Sequence, residues 1–188
     1  MSVLNNGVNT SLSGQTGTGT FVGATSPTLI TPTVGVATAN SLTFSPSTNG
    51  IVGTTTNNNA SAGFVGEFIS SVILSGSGIS LTNAGFTDLT SISLTAGDWD
   101  VFGNVYFAPS SGATALAVWT NTISATAPDA SLQSIITVNS MNLGNTGFPV
   151  PTLRYSLSNT TTVYISVSAT FPSGTCTVSG GIYARRIR

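Results

Sequence analysis

A chain of 188 residues with only 5% charged residues, against about a quarter in an ordinary soluble domain, must stay in water through hydroxyl and amide groups. Its five carboxylates (Glu67, Asp88, Asp98, Asp100, Asp129) nearly cancel its four arginines (Arg154, Arg185, Arg186, Arg188), and lysine and histidine are absent. Such a composition excludes a basic nucleic-acid groove, and it removes the repulsion that keeps copies of a protein apart, so an assembly protein is expected.

Residues 1–60 come first in chain order. They are rich in Gly, Thr, Ser and Asn, with Pro27, Pro32 and Pro46 interspersed and no sustained period of 3.6 or 2. A segment this poor in apolar residues cannot offset roughly 1–2 kcal/mol of backbone entropy per ordered residue. It is expected to be an extended anchoring arm that orders on a neighbouring surface. The opening MSVLNNGVNTSL has neither a basic region nor a continuous apolar core, so no secretory signal is expected. No run of about 18 apolar residues follows, so no membrane insertion is expected.

Residues 61–188 read as strands. Candidates are 64–74, 78–82, 89–95, 98–108, 114–124, 131–138, 151–158, 162–171 and 174–187. Turn chemistry separates them: Ser75–Gly78, Ala96-Gly97, Ser110–Gly112, Pro128-Asp129, Gly144–Gly147 and Pro172–Gly174. The clearest alternation puts Val163, Ile165, Val167, Ala169 and Phe171 on one face, with Thr162, Tyr164, Ser166, Ser168 and Thr170 between them. Eight or nine short strands predict an all-β fold, an antiparallel, jelly-roll-like β-sandwich.

One strand is apolar on both faces. In Trp99–Phe107 the set Trp99, Val101, Val105 and Phe107 belongs in the core, which leaves Phe102 and Tyr106 pointing outward. Large aromatics on the outer face predict cover by another subunit.

The strand at 174–187 places Cys176 with Val178 and Ile182 on the inward face. A lone cysteine there reads as a small hydrophobe and fits a reducing cytoplasm. The cluster Arg185, Arg186 and Arg188 is either a solvated terminus or a contact with acidic groups of a neighbouring subunit, such as Asp98 or Asp100.

Enzymatic chemistry finds little material. Without histidine or lysine, Ser-His, Cys-His and Ser-Lys arrangements are out of reach. Asp98 and Asp100 share a face, as a calcium pair or a glycosidase pair would, but two carboxylates leave most of the six to eight calcium ligands unsupplied. No metal, cofactor or catalytic residue is expected, and the two carboxylates read as a solvated strand entrance.

Two stretches carry a resemblance. Gly17–Pro32, GTGTFVGATSPTLITP, resembles a motif of phage tail-fibre and other virion proteins, where it precedes Gly/Thr-rich repeats. SISLTAGDWDVFGNVYF from Ser91, and PTLRYSLSNTTTVYISVSATFPSGTCTVSGGIYARRIR from Pro151, resemble the C-terminal domain of small phage structural proteins. The layout is also similar to the trimeric C1q/tumour-necrosis-factor jelly rolls, with Gly97-Asp98-Trp99 as the glycine–aromatic opening of a central strand. The resemblance implies a homotrimer in a bacteriophage virion, assembled in the host cytoplasm. It implies an arm that meets other virion proteins through residues such as Phe21, Val22, Leu29 and Ile30.

The long multi-repeat shaft of a full tail fibre is missing. A short fibre-like tail component and a capsid decoration protein therefore both stay open. A fibre tip would add host-surface glycan as a partner, through aromatics such as Trp119, Phe148 or Tyr155.

Overall fold

A computed structural model describes residues 41, 55–110, 116–125, 135–141, 144–171 and 173–188, with backbone alone for 116–121 and 135–141. The arm residues Phe21, Val22, Leu29 and Ile30 lie outside the described residues. Thr54–Arg188 form one compact unit.

Nine strands are described: β1 Phe68–Ile73, β2 Ile79–Ser80, β3 Phe86–Leu94, β4 Gly97–Pro109, β5 Leu116–Ser124, β6 Ile135–Met141, β7 Thr146–Leu157, β8 Thr161–Thr170 and β9 Cys176–Arg186. One sheet has the order β1-β9-β4-β7, with β2 continuing the β1 edge along β9 after a 3-10 turn at Ser75–Ser77. The other has the order β3-β8-β5-β6, and every pairing is antiparallel.

The pairing is nested. With β1 and β2 taken as one interrupted strand, the first pairs with the last (β1·β9), the second with the seventh (β3·β8), the third with the sixth (β4·β7) and the fourth with the fifth (β5·β6). A long antiparallel hairpin wound so that β9 also borders β4, and β8 also borders β5, is a jelly roll. The all-β sandwich expected from the sequence is the fold observed.

Alternation explains which side chains meet between the sheets. From β4, Trp99, Val101, Val105 and Phe107 are buried, as are Val163, Ile165, Val167 and Ala169 of β8. Cys176, Val178, Ile182 and Ala184 complete the layer from β9. Each such aliphatic or aromatic burial is worth about 1.5–3 kcal/mol before entropy is charged against it. On the polar face of β8, Thr162 is exposed and Tyr164 and Thr170 are half-buried, but Ser166 and Ser168 are buried as well. Ser166 is buried and donates to Asp88 Oδ1 at 2.5 Å.

Several boundaries differ from the sequence reading, those of β7, β3 and β1 among them. β7 starts at Thr146, so Gly147, expected in a turn, already lies in the strand with Pro149 and Pro151. Proline donates no ladder bond, but β7 is an edge strand and its outer side needs no partner. β3 starts at Phe86, ahead of the expected Leu89, and carries a bulge between Asp88 and Thr90. Phe64 precedes β1 in a turn, where its N–H donates to Ser61 O at 3.1 Å.

Candidate functional site

The outer face of the five-stranded sheet holds Phe102 and Tyr106, the two aromatics singled out from the sequence. Period two sends Phe102 and Tyr106 of β4 outward, and both are half-buried. Tyr183 of β9 stands opposite Phe102 in register, and Phe68 of β1 is diagonal to Tyr183 across β9. The Phe102 and Tyr183 rings stack at 5.5 Å between centroids, and Phe68 and Tyr183 at 6.2 Å. The three rings form a strip across three strands. Tyr106 lies further along the same face, beside Gly147 and Ser179.

Charge gathers at one end of this sheet. Seven of the nine charged residues belong to this set: Glu67, Asp98, Asp100, Arg154, Arg185, Arg186 and Arg188, leaving Asp88 and Asp129. Asp98 is buried, and its Oδ2 accepts from Arg154 at 2.8 Å and from Arg188 at 2.6 Å. The Ser156 hydroxyl, then the Arg154 guanidinium, hold the Asp98 carboxyl below the usual carboxylate range against the cost of burial. Asp100 has Arg154 and Arg185 as its cross-strand neighbours. The expected solvated entrance is therefore an ion-pair cluster at Asp98, whose charge is already met by two guanidinium groups of its own chain.

Arg186 departs from both readings of the arginine tail. It faces inward and is 5% exposed. Its Nε donates to Glu67 Oε2 at 2.9 Å, Nη1 to Ala96 O at 2.8 Å, and Nη2 to the Thr95 hydroxyl. The guanidinium carbon lies 4.2 Å from the Trp99 ring centroid, and Trp99 Nε1 donates to Thr95 O at 2.9 Å. Gly63 N–H donates to the same Glu67 oxygen at 2.8 Å. Burial pushes the Glu67 carboxyl up, but the Gly63 N–H and Arg186 outweigh it and leave it below its ordinary value.

Sequence reasoning named Phe102, Tyr106, Arg185, Arg186 and Arg188 for a subunit contact and left out Phe68, Tyr183 and Glu67. The signal for Arg186 was present: Cys176, Val178, Ile182 and Arg186 share one parity along β9, and that parity points inward. Phe148 and Tyr155, weighed as glycan contacts, pack against the core instead. Phe148 meets Phe107 edge-on at 6.3 Å, and the Tyr155 hydroxyl donates to Ile123 O at 3.3 Å. The side chain of Trp119 lies outside the described set. Cys176 is a buried free thiol that burial pushes up to about 11.

No protein-family model and no curated protein matches the chain. Among solved structures, it is similar to that of the Gx strain of infectious bursal disease virus, with TM-score 0.39 and 16% identity over 64% of this chain and 30% of that one. The VP2 subviral particle of infectious bursal disease virus gives TM-score 0.36 and 17% identity over the same shares. The Gt strain gives 0.33 and 16% over 62% and 30%. This chain spans under a third of the length of each, and the likeness is too slight to carry an argument about role.

Proposed function

We propose that this chain is a non-enzymatic structural component of a bacteriophage particle, a fibre-like tail protein that trimerises through the outer face of its five-stranded sheet. The observation that carries the reading is the strip Phe68–Tyr183–Phe102, a stacked aromatic surface on a protein whose few charges are largely neutralised within its own fold. Apolar rings outside the core gain by being covered, and a nearly neutral surface does nothing to hold copies apart. The jelly roll supports the reading by analogy, since viral capsid and lectin domains use it.

Phe102 and Tyr106 sit at the proposed contact, with Arg185 and Arg188 at its polar rim. Arg186 is left out of the contact, because its guanidinium is engaged inside its own sandwich. The arm anchors the trimer to other virion proteins, and host-surface glycan is the further partner of a fibre tip.

A surface kept in water by Ser and Thr, with no ligand site required, suits a second reading as well, a capsid decoration protein forming trimers on the head. Copy number in purified particles, by quantitative mass spectrometry, tests both. A few copies in a multiple of three support the tail, and hundreds in ratio to the major capsid protein support decoration. Absence from the particle overturns the structural role.

A further inference from the structure

The free edge of β1 is the least protected edge among the strands whose side chains are described. β7 carries Pro149, Pro151 and Arg154, and β3 carries Asp88 and a bulge. Such features blunt an edge against pairing with another chain. Phe68–Leu74 has no charge, no proline and no bulge in its register with β9, and it leaves Val72 46% and Leu74 71% exposed.

The backbone direction at this edge follows from two hydrogen bonds. Arg186 N–H donates to Glu67 O at 2.9 Å, so Glu67 turns its carbonyl toward β9. The next carbonyl, Phe68 O, accepts from the side chain of Asn59 at 3.4 Å, on the other side. In an antiparallel ladder the direction alternates, so Phe68, Ser70 and Val72 present their N–H and C=O groups away from β9.

We infer that this edge accepts an extended strand from the N-terminal segment of a second copy of the chain, drawn from residues 33–45. The inference rests on the assembly reading above and gives it a partner and a place. Thirteen residues lie between Pro32 and Pro46, and they carry no charge. Extended at about 3.3 Å per residue they more than span the six residues of β1. Val34, Val36, Leu42 and Phe44 share one parity with Thr38 and Asn40 between them, so either end of such a strand brings two apolar side chains to cover Val72 and Leu74. Neither partner loses the hydration of an ion. Main-chain bonds supply affinity and alternate side chains supply register, as in other strand additions.

The test is disulfide trapping in the full-length chain, since buried Cys176 does not compete. Chains carrying Val72→Cys are mixed with chains carrying Val34→Cys, Val36→Cys or Leu42→Cys in turn and mildly oxidised. A covalent heterodimer is expected for at least one pair. Ser70→Pro removes an outward N–H and spares the ladder to β9, so it lowers the yield at least tenfold; Ser70→Lys serves where the proline unfolds the chain. No cross-link for any pair overturns the inference, as does a cross-link found only within a chain that carries both cysteines. Light scattering on the same samples separates the two levels. Oligomers that persist without any cross-link leave the outer-face reading standing while the edge inference falls, and a monomer throughout removes both.

Discussion

The guanidinium carbon of Arg186 lies over the ring of Trp99, 4.2 Å from its centroid, and so closes the core at the end where β4 begins and β9 ends. A cation over an indole face is attracted by the ring quadrupole, and here the same cation is forked onto Glu67, Ala96 O and Thr95. Removing one partner of a buried ion pair leaves the other charge uncompensated. Arg186→Ala is expected to lower stability by about 3 kcal/mol, or roughly 10 °C in Tm, read by thermal and urea unfolding. Arg186→Lys recovers only part of the loss, because an ammonium cannot fork onto three acceptors.

Gly97 is bound to the same feature. Its φ is +134°, and a Cβ there would stand 2.1 Å from Arg186 Nη1. Gly97→Ala therefore strains the backbone and displaces the guanidinium together. The two substitutions are expected to be non-additive: in an Arg186→Ala background, Gly97→Ala costs less than alone and keeps only its backbone strain, by a double-mutant cycle on urea midpoints.

Acid weakens this end of the sandwich. Glu67 and Asp98 both titrate below their ordinary values of 4.5 and 3.8, so the charged forms are favoured by folding. Their contribution is fully present above those values and is lost as pH falls through the lower, folded ones. Tm is expected to hold between pH 7 and pH 5 and to fall below about pH 4.5, with a weaker fall in Arg186→Ala, whose Glu67 has already lost its partner.

How much of this was legible in the sequence depends on whether a residue's role is set locally. The β4 face, Trp99 and Val101 in and Phe102 and Tyr106 out, follows from period two alone, and so do the buried rows of β8 and β9. The start of β7 did not follow, because Gly147 and Pro149 argue against a strand unless it is known to be an edge, and edge status is a property of the whole sheet. The Glu67–Arg186 pair joins residues 119 apart and needs the β1·β9 register before it can be seen. The stacking of Phe68 and Phe102 on Tyr183 likewise depends on the order β1-β9-β4.

Cys176 is expected to be chemically silent in the folded protein. Burial pushes its thiol up to about 11 from an ordinary 9.0, so the native chain disfavours the thiolate. Alkylation by iodoacetamide at pH 8 should require unfolding and follow its rate. Between pH 9 and 11 the unfolded chain binds fewer protons at this site, so stability declines with rising pH there.

The central claim is that copies of this chain meet through the outer face of the five-stranded sheet, and light scattering of the full-length protein and of Phe102→Glu tests it most directly. The account predicts a wild-type particle of three times the 18.9 kDa chain mass, and a Phe102→Glu variant that runs as a monomer with its β-sheet circular dichroism intact. A wild-type monomer, or a variant that still forms the same oligomer, would contradict it.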